Sequence, residues 1–139
     1  MKNRTIILFV GCVLSFSVLS TPAFGDGPKY LIASWYDETS LRDEGTWTRT
    51  HGVMANGKQY DPGRLSCATR DWPLGTRLIV RSLDSDRSVV VVVTDRTARR
   101  FAGKRIDLSV AAFSVLGDLE RGLIRVEVEK YDNTKINSR

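Results

Sequence analysis

Short apolar runs rich in strand formers, separated by polar turn signals, predict a mainly β protein. Tyr30-Leu-Ile-Ala-Ser-Trp-Tyr36 follows Pro28 and is dense in strand formers, so it reads as a first strand. Residues 37–64 are polar and contain glycine, with turn signals at Asn56-Gly57 and Asp61-Pro62-Gly63. A loop of that length in a small domain points to function, and Trp47, Met54 and Tyr60 argue against simple disorder. Leu65 to Ala68 is a short apolar piece, and Trp72-Pro73-Leu74-Gly75 is a turn. Residues 76–83 and 88–94 predict a hairpin across a tight turn at 84–87. Its second arm holds consecutive valines from Val89 to Val93, and such a strand is either buried on both faces or closes a small barrel. Residues 105–108 predict a short strand. Ser109 then caps a helix over 110–116 that ends at Gly117, and the alternation in 121–131 makes the last strand. The sum is about six strands and one short helix, closed as a small barrel.

The first 25 residues stand apart from this pattern. Lys2 and Arg4 precede an apolar run from Ile6 to Leu19, and Ala23-Phe24-Gly25 offers small residues where a signal peptidase reads, so residues 1–25 are expected to be a signal peptide. The run is broken by Ser15, Ser17, Ser20 and Pro22 and is short for a membrane span, so no stable membrane insertion is expected after cleavage. Gly11-Cys12 resembles a lipid-acceptor pair, but Phe9 and Val10 fit the motif poorly, and lipid anchoring at Cys12 is not expected. The domain organisation is then a signal peptide over 1–25, a barrel domain over 26–131 and a disordered tail over 132–139. The protein is expected to be exported, to the periplasm or the extracellular space.

Composition narrows the chemistry further. Apolar residues make up 42% and charged residues 27%, an ordinary globular mixture. The 2 cysteines exclude a disulfide scaffold and a cysteine-based zinc site, and the single histidine excludes a multi-histidine metal site. Formal charge is +5 overall, or about +3 without the signal segment, which suits a negatively charged wall polymer and does not demand nucleic acid. After cleavage Cys67 is the sole cysteine, and it reads better as a small buried apolar residue than as a nucleophile.

The strings ASWYDE, MANGKQYDP, WPLGTRLIV, VVVVTDR and RIDLS, in that order, resemble the rare lipoprotein A (RlpA) family over about residues 31–130. The resemblance implies a six-stranded double-psi β-barrel with one short helix, a fold shared with expansins and barwin. It implies a lytic transglycosylase that acts on peptidoglycan glycan strands. Such an enzyme cleaves between N-acetylmuramic acid and N-acetylglucosamine and leaves a 1,6-anhydro end, with no cofactor and no metal. Asp95 matches the aspartate of the family's N-D-R-G motif, and Asp107 that of I-D-L-S. Thr69 stands where active members carry a histidine, and Thr97-Ala98 replaces the Gly-Pro that follows the first motif.

Lytic cleavage needs one acid to protonate the glycosidic oxygen and one base to take the proton of the sugar 6-hydroxyl, which attacks the anomeric carbon; a single carboxyl can do both in turn. Asp95 and Asp107 are the candidate catalytic residues, with Asp71 a third acid nearby. Against a catalytic role, Asp95 could be an ion-paired loop residue among Arg96, Arg99, Arg100, Lys104 and Arg105, and Asp107 could satisfy backbone amides before the helix. Thr69, Trp47, Trp72, His51, Arg96 and Arg99 are the candidate substrate-binding residues: the tryptophans as sugar-stacking faces in loops, the arginines as contacts to an anionic polymer, and His51 as the one available substitute for the missing histidine. Trp35 and Tyr60 are expected in the core.

Three functions stay open at this point. The first is a monomeric lytic enzyme on peptidoglycan. The second is a non-catalytic, expansin-like glycan-binding barrel, and the third is a secreted interaction protein that uses the barrel as a scaffold.

Overall fold

Six strands close on themselves in the order β1-β5-β2-β4-β3-β6. They are β1 (Lys29–Tyr36), β2 (Ser66–Ala68), β3 (Arg77–Ser82), β4 (Ser88–Asp95), β5 (Arg105–Ser109) and β6 (Ile124–Lys130). The structure is a computed structural model that describes residues 27–43, 45 and 49–133; the expected signal segment, Trp47 and residues 134–139 lie outside the described residues. β1 runs parallel to β5 and β2 parallel to β4, while the other four pairings are antiparallel. This mixed closure is the double-psi-like barrel expected from the sequence.

Period two decides what fills it. Leu31, Ala33, Leu78, Val80, Ile106, Leu108, Val126 and Val128 project inward and are buried. In the valine run Val89, Val91 and Val93 join them, while Val90 and Val92 stand half-buried on the outer face. The run therefore closes a barrel rather than lying fully covered on both sides. One end is packed by α2 (Val110–Leu116), which buries Ala112, Phe113 and Leu116. Ser109 caps this helix as the sequence indicates, its Oγ accepting the Ala112 N–H at 3.3 Å, and the Gly117 N–H closes the last turn on the Phe113 carbonyl. Each large apolar side chain fully withdrawn from water contributes about 1.5–3 kcal/mol, so this single interior carries most of the stability.

Two elements depart from expectation. A six-residue helix, α1 (Glu38–Asp43), follows β1. Its start is a reciprocal cap in which Asp37 Oδ1 accepts the Ser40 N–H at 2.7 Å and Ser40 Oγ accepts the Asp37 N–H at 2.9 Å. This is a capping box with serine in the place of the usual glutamate, so the standard signature misses it. The last strand begins at Ile124 rather than at residue 121, because Leu119–Arg121 form a 3-10 turn capped by Asp118.

Beyond the start of β4, Asp84 accepts from Arg125 at 2.7 Å and from Arg121 at 3.3 Å. The Arg125 hydrogen bond, aided by the charges of both arginines, holds this carboxyl below its ordinary range against the opposing effect of burial. A depressed folded value stabilises the protein above the unfolded carboxyl value, and that contribution is lost as pH falls through the folded one. Asp84→Asn is expected to lower Tm slightly at neutral pH. The difference from wild type should vanish in thermal unfolding at a pH acid enough to protonate the native carboxyl.

Candidate functional site

A one-residue irregularity in β4 builds the site. Ser66 pairs with Val92 and Cys67 with Val93, but Ala68 pairs with Asp95, so Thr94 is an extra residue opposite none on β2. By strict alternation Asp95 shares the parity of Val89, Val91 and Val93 and would enter the barrel. The bulge reverses that parity and turns the carboxylate outward.

On the other side of β2, Ala68 pairs with Asp107, which projects outward between the buried Ile106 and Leu108. Beyond it Ser34 pairs with Asp107 across β1 and β5, and the Ser34 hydroxyl donates to Asp107 Oδ1. Ser34, Asp107, Ala68 and Asp95 thus form one row across four strands. The two aspartate α-carbons flank the small Ala68 at two strand spacings, roughly 10 Å apart.

Each carboxylate is anchored. Asp95 Oδ1 accepts the N–H of Arg96 at 2.8 Å and of Ala55 at 3.0 Å, so a proton or ligand hydroxyl on this group would use Oδ2. The Ala55 bond comes from a small hairpin in which Val53 bridges Gln59, with Gly57 at φ 80° in the turn. The Asn56 N–H, donating to the Thr94 carbonyl at 3.1 Å, fastens the same hairpin to the bulge. Asp107 has the guanidinium of Arg105 4.0 Å from its Oδ1.

Beside the row lies a second apolar cluster of Tyr36, Tyr60 and Ala68, with Leu41 and Met54 packed against it. The tyrosine rings are 4.7 Å apart, and the Tyr60 hydroxyl donates to the Tyr36 carbonyl at 2.5 Å. Burial pushes the Tyr60 phenol up to about 12. Burial, and then the Asp95 charge, raise the Tyr36 phenol further still. Cys67 lies fully inside the barrel, and burial followed by the Asp107 charge lifts its thiol well above the ordinary value; it is a core residue, not a nucleophile. A groove of about 660 Å³ runs between the hairpin and the outer face of β2 and β4, past Met54, Tyr60, Arg64, Leu65, Val92 and Thr94. Tyr60 lines it, and Tyr36, Asp95 and Asp107 do not.

A model described as lytic transglycolase matches residues 29–128. The chain belongs to that family. It is 39% identical over 101 residues to the endolytic peptidoglycan transglycosylase RlpA of Pseudomonas aeruginosa, an alignment covering 72% of this chain and 26% of that protein. It is 38% identical over 77 residues to the uncharacterized protein ssl3177 of Synechocystis, covering 55% of this chain and 80% of that one. The chain therefore spans about a quarter of the length of the Pseudomonas relative.

Among solved structures, a mutant Clavibacter michiganensis expansin in complex with cellohexaose superposes with TM-score 0.56 at 20% identity, over 77% of this chain and 52% of that one. The Streptomyces papain inhibitor superposes with TM-score 0.56 at 21% identity, over 74% and 93%. These two likenesses are likenesses of fold.

The family's motif positions fall in different surroundings. Asp95 and Asp107 share the row. Thr69, at the histidine position, is fully buried; its Oγ1 accepts the Asp71 N–H at 3.2 Å and its amide donates to the Asp95 carbonyl at 3.1 Å. Trp72 is buried in the barrel core beneath the Lys29 ammonium, which lies 4.8 Å from a ring centroid, so its face is spent on packing rather than offered to a sugar. Trp35 packs against that core as expected, with its indole N–H on the Leu119 carbonyl, whereas Tyr60 is buried in the second cluster rather than in the barrel core. His51 is exposed, with a left-handed φ of 50°, and among the described residues no hydrogen bond joins it to the row. Asp71 is turned away into the fold, holding the Gly103 N–H at 2.8 Å, with Lys29 3.6 Å from its other oxygen. Arg99 is exposed at the start of a 3-10 turn, where Arg100 and Arg105 flank the Phe101 ring at 4.6 and 4.5 Å.

Arg96 does not pair with the Asp95 carboxylate. Its Nη1 donates to the carbonyls of Thr69 at 2.8 Å and Trp72 at 2.6 Å, clamping the turn after β2 to the loop after β4. Ser34, Ala68 and the hairpin anchor at Ala55 escape sequence reasoning. The alternation in β1 does place Ser34 opposite Leu31 and Ala33, but nothing in the chain marks the bulge. Arg96→Met keeps the stem and removes the clamp. It is expected to cost about 1–3 kcal/mol in urea unfolding, because two half-buried carbonyls lose a charged donor.

Proposed function

We propose that the protein is an exported barrel that binds peptidoglycan glycan strands across the row Ser34, Asp107, Ala68 and Asp95. The observation that carries this is the pairing of both aspartates with one alanine. It sets two carboxylate acceptors on the outer face on either side of Ala68, which the Tyr36 and Tyr60 cluster covers. Sugar hydroxyls are donors, and a carboxylate accepting from them forms charge-assisted bonds worth about 1.5–3 kcal/mol each. Family membership and the relatives named for peptidoglycan support this choice of polymer and an exported location. The buried Thr69 at the histidine position and the commitment of Asp95 Oδ1 to two backbone amides favour binding over turnover.

Lytic cleavage is the second reading. It is favoured by the 39% identity to an endolytic transglycosylase and by the retention of both aspartates. In it one carboxyl would protonate the leaving oxygen and a base would receive the 6-hydroxyl proton, so the strand would end as an anhydro sugar with no water consumed.

Incubation of the purified protein with peptidoglycan sacculi, both intact and stripped of stem peptides, separates the readings. Co-sedimentation without released fragments is expected, with affinity reduced about tenfold or more by Asp95→Asn or Asp107→Asn in variants that still unfold cooperatively with only a small fall in Tm. Anhydro-ended fragments in the mass spectrum that disappear with Asp95→Asn would establish cleavage instead. The absence of both sedimentation and fragments would overturn both readings.

A further inference from the structure

Tyr36 carries a polar group that the fold does not use. The residue is nine-tenths buried, and its hydroxyl has no hydrogen-bond partner among the described residues. Buried hydroxyls almost always find a partner, so an orphan next to a candidate site calls for a reason. Packing alone does not supply one: the ring contact with Tyr60 and the bond from the Tyr60 hydroxyl to the Tyr36 carbonyl would both survive in phenylalanine.

Position suggests the reason. Tyr36 follows Ser34 by two residues on β1, so it shares the outer face with the carboxylate row. Its ring packs on Ala68, the residue between the two aspartates. The charges of Asp95 and Asp107 both act on the phenol, which places it within their field. The groove beside the hairpin is lined by Met54 and by Tyr60, the ring that Tyr36 packs against.

We propose that the Tyr36 hydroxyl is a ligand-recognition donor, held unspent beside the two carboxylates to bond a hydroxyl or acetamide oxygen of a bound glycan. The carboxylates can only accept, so the row alone reads donors; a phenol beside them adds the complementary donor that a sugar acetamide carbonyl requires. Leu41 of α1 and Met54 of the hairpin pack against this cluster and are half-buried, and Met54 also lines the groove. A glycan entering along the groove reaches the hydroxyl by displacing them. The inference rests on the glycan-binding reading above.

Tyr36→Phe separates a recognition role from a structural one. The substitution removes an unpaired buried hydroxyl and keeps the ring, so Tm should hold or rise. Affinity for stripped glycan strands, measured by titration calorimetry, should fall about three- to tenfold, the loss of one neutral hydrogen bond. Tyr60→Phe is the comparison: it breaks the bond to the Tyr36 carbonyl, so Tm should fall while affinity changes less than in Tyr36→Phe. Wild-type binding that Tyr36→Phe retains within twofold would overturn this inference and leave the glycan-binding reading standing. No binding by wild type would remove that reading, and the inference with it.

Discussion

At Thr94 the chain spends one residue that β2 does not match, and the character of the outer face follows from that mismatch. Without it the alternation that buries Val89, Val91 and Val93 would carry Asp95 into an apolar interior, where an unpaired carboxylate is prohibitive. With it, Asp95 emerges beside Ala68 and opposite Asp107. The bulge is in turn secured from outside: the hairpin of residues 53–59 donates Asn56 N–H to the Thr94 carbonyl and Ala55 N–H to the Asp95 carboxylate. The long polar segment after β1 therefore serves as a brace for the end of β4.

The surrounding loops share that task. Arg96, next in sequence to the bulge, faces away from the carboxylate and ties two carbonyls of the turn after β2, while Arg70 reaches back to the Thr97 carbonyl at 2.5 Å. Two arginines that a charge count would assign to an anionic ligand are structural cross-braces between neighbouring loops. Arg99 remains exposed on the 3-10 turn after β4. A barrel of this shape also occurs in an expansin and in a papain inhibitor, so the shape does not choose the function. The choice rests on the side chains in the outer row.

Much of the fold was legible because period-two alternation and capping are local signals. The limits of α2 follow from Ser109 and Gly117, and the valine run announces closure of a barrel. Asp95 and Asp107 were legible as candidates through family motifs, but their shared row was not, because it depends on registers between strands distant in sequence. Trp72 shows the converse. Its loop position suggested an exposed face, yet Lys29 and the barrel core cover it, and loop membership says nothing about which way a side chain turns. The unpaired Tyr36 hydroxyl was equally hidden, since satisfaction of a donor is a property of the assembled structure.

The central claim is that the four-residue row is where glycan binds. Titration of the isotope-labelled protein with N-acetylglucosamine-containing glycan oligomers, followed by backbone amide chemical shifts, tests it directly. The account requires the largest shifts at Ser34, Ala68, Asp95 and Asp107 and their immediate neighbours. Shifts confined to the far end of β4, around Asp84 and Arg125, or no shifts at saturating oligomer, would contradict it.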